Sequence, residues 1–159
     1  MSLLRMIGAL AVVTSGVYAA CIFNSGTRQV LRQTEAFISL LRFIRSQIEC
    51  FALPLPQALG RCPAEILKGC GYDRAEKPSS GEHLMAGCCI EDTSVRRSME
   101  RFFSEIGRGY REEQLNLCDY CISSLEERRA HMASQLPMKI KVNSALSIVG
   151  AVAVVILLI

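Results

Sequence analysis

The sequence predicts an all-α protein, a membrane-anchored helical bundle with N- and C-terminal transmembrane helices. Three observations predict it. Both ends are apolar runs without a charge, Met6 to Phe23 and Val142 to Ile159, and all 15 acidic residues lie between them. In that middle, apolar residues recur at steps of three and four in three stretches, the mark of one buried helix face. No stretch alternates every second residue as a half-buried strand does. The organisation that follows is residues 1–23 as the first transmembrane segment, 24–141 as a cytoplasmic helical domain, and 142–159 as the second transmembrane segment.

Each apolar run holds eighteen residues. A helix of that length extends roughly 27 Å, near the lower limit for crossing a bilayer. Arg5 alone lies outside the first run, whereas Arg28, Arg32, Arg42 and Arg45 follow it. Arg128, Arg129, Lys139 and Lys141 precede the second run, and no charge follows it. Basic residues close to a span mark the cytoplasmic side, which places the middle domain there. The net charge of +3 is too small to point to nucleic acid. A second reading of the N-terminus is a signal peptide ending near Tyr18-Ala19-Ala20-Cys21, which would export the domain as a lipoprotein.

The first helical stretch runs from Arg28 to Phe51, with Val30, Thr34, Phe37, Leu41, Ile44, Ile48 and Phe51 in one stripe. Pro54 and Pro56 stop it near Ala52. Pro54 to Leu67 gives one or two short helices, Gly69 to Gly81 a polar loop, and Glu82 to Ile90 another short helix. A helix from Ser94 to Gly107 buries Met99, Phe102, Phe103 and Ile106; Thr93 or Ser94 caps its start and Gly107 ends it. The last stretch, Arg111 to Leu136, keeps Leu115, Cys118, Ile122, Leu125, Met132 and Leu136 on one face, with Arg129 the exception. Glu112 and Glu113 favour its N-terminal dipole. The first and last stripes suit antiparallel packing, which would bring the two spans together.

Eight cysteines are spread through the chain. In an exported domain an even count suggests disulfides, and in a cytoplasmic one the thiols pack as small apolar groups. Cys118-x-x-Cys121 has the spacing of a redox or zinc pair. It falls inside a helix, however, rather than at a helix start, where the dipole would activate a thiol. Core packing is the preferred reading. His83 and His131 complete no catalytic spacing. Gly107-Arg108-Gly109 lacks the length and the lysine of a phosphate-binding loop. The expectation is a protein that is not an enzyme and holds no cofactor or metal.

Three segments carry a family resemblance. They are Glu49-Cys50-Phe51-Ala52-Leu53-Pro54-Leu55-Pro56-Gln57-Ala58-Leu59, then Ile106-Gly107-Arg108-Gly109-Tyr110-Arg111-Glu112-Glu113-Gln114, then the tail from Asn143 through Gly150 to Ile159. In this order they resemble stage III sporulation protein AB of endospore-forming bacteria. Tyr110 stands where that family carries an aspartate suited to a helix cap, and this chain has no tryptophan. The resemblance implies a non-enzymatic scaffold in the secretion-like channel between mother cell and forespore. It implies a place in the mother-cell-derived outer forespore membrane, with the soluble domain in the cytoplasm. The resembled family is itself distantly similar to the platform proteins of type II secretion and type IV pilus systems, and the implied partners are the ATPase stage III sporulation protein AA and other channel membrane proteins. Contact residues implied by the matched segments are Glu49, Pro54, Pro56, Gly107, Arg111 and Gln114. Gly150, a small residue in the second span, suits close helix approach. The competing classes are an exported disulfide-containing lipoprotein and a cysteine-based redox or metal membrane protein.

Overall fold

A computed structural model describes the backbone of residues 2–158. It describes the side chains of residues 28–135 together with those of Thr14, Gly26 and Pro137. The all-α class holds: among the described residues six helices appear in the order α1 (Ser2–Phe51), α2 (Leu55–Arg61), α3 (Ala64–Gly69), α4 (Gly81–Gly87), α5 (Thr93–Glu105) and α6 (Arg111–Leu158). Among the described residues the nearest approach to a sheet is one isolated antiparallel bridge between Tyr72 and Cys88.

The chain divides into two compact units. One comprises residues 1–29 and 132–159, helical over its described backbone, 2–29 and 132–158, with Pro137 inside α6. Among the described residues no helix is long and apolar enough to cross a membrane. Apart from Thr14, the side chains of the two uncharged runs, Gly150 included, lie outside those residues. The second unit, 30–131, is the helical bundle. Its limits fall inside the 24–141 domain expected from charge, because the described core begins at Gln33 on α1 and ends at Leu125 on α6.

The bundle core follows the predicted stripes. Thr34, Phe37, Leu41, Ile44 and Ile48 of α1 are buried, as are Cys118, Ile122 and Leu125 of α6 and Val95, Met99 and Phe102 of α5. Burying each Leu, Ile or Phe contributes roughly 1.5–3 kcal/mol, which makes this face the main source of bundle stability. Ile38 and Leu40 are buried too, so the apolar face of α1 is wider than one stripe. Phe51 departs from expectation: at the last residue of α1 it is 61% exposed.

Charge pairs set the direction of α6 against α1 within the bundle. Arg129 Nε donates to Glu35 at 2.7 Å, Arg42 pairs with Glu126, and Arg45 Nε donates to Asp119 at 2.6 Å. The Arg111 guanidinium donates to the Glu49 carbonyl. As the number rises along α1 it falls along α6, so the two helices are antiparallel. Exposed pairs of this kind add little net stability, yet opposite signs at matched positions select one register. Arg129, an exception to the apolar stripe, is thereby accounted for.

One buried polar side chain links α1 to the segments that follow α3 and α4. Gln33 is 8% exposed, and its amide donates to the Cys70 carbonyl at 2.9 Å and the Cys89 carbonyl at 2.7 Å. Both amide protons are used, which joins α1 to the turns after α3 and α4. Gly71 makes room for this: its φ is +86°, and a Cβ there would lie 2.8 Å from Gln33 Nε2. Gln33→Leu is expected to strand two carbonyls and lower bundle stability by about 1–3 kcal/mol in chemical denaturation.

The cap of α5 is Asp92 rather than Thr93 or Ser94. Its Oδ1 accepts from the N–H groups of Ser94 at 2.8 Å and Val95 at 3.1 Å. Arg128 of α6 donates to both carboxylate oxygens at 3.0 Å. Partial burial opposes the charge on Asp92, but the Arg128 guanidinium and the two N–H groups prevail and hold its carboxyl below the usual range. A lowered folded-state value means stability present above the unfolded carboxylate range and lost as pH falls through the folded value. Asp92→Asn keeps a capping oxygen and loses the ion pair. It is expected to cost about 1–2 kcal/mol near neutral pH, with the difference from the parent vanishing in melts at strongly acidic pH.

Candidate functional site

Two turns built by different means meet at one end of the bundle. The first follows α1. Ala52 has φ +49°, the left-handed region, and its N–H bonds back to Ile48 at 3.1 Å. This is a left-handed helix stop, a place where glycine is usual. Pro54, extended at φ −65° and ψ 150°, then caps α2, and Pro56 occupies its first turn, where a missing N–H costs nothing. The prolines thus both stop one helix and start the next.

The second turn joins α5 to α6. Gly107 has φ +87° and turns the chain out of α5. Tyr110, just before α6, offers no acceptor to the first turn. Glu113 supplies the other half of a capping box instead, its Oε2 accepting from the Tyr110 N–H at 3.1 Å. Gln114 Nε2 donates to the Gly109 carbonyl at 2.8 Å and closes the loop. Arg111 ties this turn to the end of α1 through the Glu49 carbonyl.

Between the two turns lies a cleft of about 470 Å³. Its walls include Pro54, Pro56, Gly107, Arg111 and Gln114, five of the seven residues expected at contacts. Glu49 adjoins it through its carbonyl, and Gly150 lies outside the described residues. Sequence reasoning missed the apolar lining: Ile48, Ala52, Leu53, Leu55 and Ile106. Four of these five fall within the two segments that carry the resemblance, so the signal was present as a block and not residue by residue. Phe51 and Tyr110, which precede the Ala52 stop and Arg111 in the chain, are 61% and 84% exposed.

Among the described residues the cysteines form no second site. All seven described cysteines are free, and Cys62, Cys70, Cys88 and Cys118 are buried. Burial pushes the Cys118 thiol up to about 12 and those of Cys62 and Cys88 up to about 11, and it raises Cys70 and Cys121 as well. A thiol two units higher holds about 100-fold less thiolate, so these groups are poor nucleophiles. Cys118 sits in the bundle core, with Cys121 packed against it. Among the described residues no three His, Cys, Asp or Glu side chains are placed to hold a metal ion. His83 faces Tyr72 edge-on, with its Nδ1 3.4 Å from the Ser79 hydroxyl.

No family model matches the chain, nor does any curated protein or solved structure.

Among the described residues Ala52 is the one non-glycine residue with positive φ, and it lines the cleft. Strain kept in a cleft wall is a mark of a site whose shape matters. Ala52→Gly is expected to raise bundle stability by about 0.5–1 kcal/mol in thermal or denaturant melts, since relief of strain exceeds the added chain entropy.

Proposed function

We propose that this chain is a non-enzymatic scaffold of a sporulation channel, of the stage III sporulation protein AB kind, anchored in a membrane by its two apolar ends. The observation that carries this reading is the convergence of the two internal resembling segments. They are separated by 46 residues of chain, from Leu59 to Ile106, and yet wall one cleft. A resemblance spread over unrelated surface would support the reading far less.

The remaining parts of the proposal rest on charge and hydropathy. Basic residues flank both apolar runs on the inner side and favour a cytoplasmic bundle. The place proposed is the mother-cell-derived outer forespore membrane. The cleft, at the α1–α2 and α5–α6 turns, is the face proposed to engage the cytoplasmic ATPase stage III sporulation protein AA, with ring-forming channel proteins as membrane partners.

The test is made in sporulating cells of the source organism with a tagged full-length chain. Loss of the gene is expected to block spore formation, and the tagged chain is expected to restore it and co-purify the ATPase from the membrane fraction. Leu53→Glu, which places a charge in the apolar wall, is expected to keep the chain in that fraction and lose the ATPase. Normal sporulation without the gene, together with no bound ATPase, would overturn the scaffold reading.

A further inference from the structure

We propose that the cleft seats an acidic segment of a partner protein, which inserts an apolar side chain among Leu53, Leu55 and Ile106 and offers a carboxylate to Arg111. This rests on the scaffold reading and adds the chemistry of the partner. Arg111 is the single charged residue in the cleft wall. One of its N–H groups goes to the Glu49 carbonyl, and among the described residues no carboxylate pairs with it. A guanidinium has five N–H donors in a planar fork that fits a carboxylate, so most of its donor capacity is unspent.

Three acidic side chains at this end are already committed. Glu49 pairs with Arg45, Glu105 pairs with Arg101, and Glu113 accepts from the Tyr110 N–H. Glu112 follows Arg111 directly, but successive helical residues project about 100° apart, and Glu112 is not part of the cleft wall. An unpaired cation beside a mainly aliphatic wall defines a complement with both features, a carboxylate next to an apolar side chain. Partial enclosure strengthens such a charge-assisted pair. Exposed Phe51 and Tyr110 adjoin these wall residues in the chain. Aromatic residues with arginine are the usual anchors of protein interfaces, which favours a protein segment over a small carboxylate.

The probe is a library of random dodecapeptides selected on the full-length chain in lipid nanodiscs. The best peptide is then measured by fluorescence anisotropy. The expected consensus places Asp or Glu beside Leu, Ile or Phe. Arg111→Glu is expected to weaken that peptide at least about tenfold, the scale of one charge-assisted hydrogen bond, and to favour its counterpart with lysine in place of the acid. Leu53→Ser leaves Arg111 intact and is expected to weaken binding about fivefold or more, as loss of an apolar contact does; it decides the matter if Arg111→Glu does not fold. Selected peptides without an acid, binding indifferent to both substitutions, or displacement by octanoate at peptide-like concentration would each overturn the proposal. Full ATPase co-purification with Arg111→Glu would overturn this chemistry and leave the scaffold reading standing. Peptide binding as expected, with normal sporulation without the gene and no ATPase bound to the parent chain, would do the reverse.

Discussion

The antiparallel register of α1 and α6 is the constraint on which the rest of the bundle depends. Four links run from one helix to the other: Glu35 to Arg129, Arg42 to Glu126, Arg45 to Asp119, and the Glu49 carbonyl to Arg111. Beneath them, Phe37, Leu41, Ile44 and Ile48 share one core with Cys118, Ile122 and Leu125. The apolar surface supplies the stability and the charges choose the alignment. In a parallel arrangement the matched positions would not meet, and Arg111 would not reach the end of α1.

That register also makes the cleft. The end of α1 and the beginning of α6 come together, and each helix brings its adjoining turn. Ala52 and Pro54 shape one wall, while Gly107 and the Glu113 cap shape the other. The buried thiols, by contrast, are inert packing groups. Cys62, Cys70 and Cys88 belong to the core beside the turns that Gln33 holds, and Cys118 belongs to the α6 face.

Much of this was legible in the sequence, for a physical reason. Burial at helical spacing is a local pattern, so the stripes of α1, α5 and α6 could be read directly, and Pro54, Pro56 and Gly107 marked their ends. What the sequence hid is what depends on long-range partners. Arg129 looked like an exception until Glu35 stood opposite it. Asp92 outcompeted Thr93 and Ser94 as a cap because Arg128, 36 residues away, also fixes its carboxylate. Gln33 shows no periodic signal that distinguishes a clamp from a solvated amide. Phe51 fitted the stripe but is exposed at the last residue of α1. At the candidate site, the prolines, Arg111 and Gln114 were visible as matched segments, whereas the lining by Ile48 and Ile106 emerges only from packing.

The structural core of the scaffold reading is a two-helix frame with a cleft at one end. Its central physical claim is the α1–α6 register. Distances between spin labels on noncanonical residues test it most directly, with one label at Cys50 and a second at Glu112 or Ala130, all exposed. The account predicts a short distance for 50–112 and one longer by about 27 Å at most for 50–130, given a 1.5 Å rise per residue. A shorter distance for 50–130 than for 50–112 would contradict it.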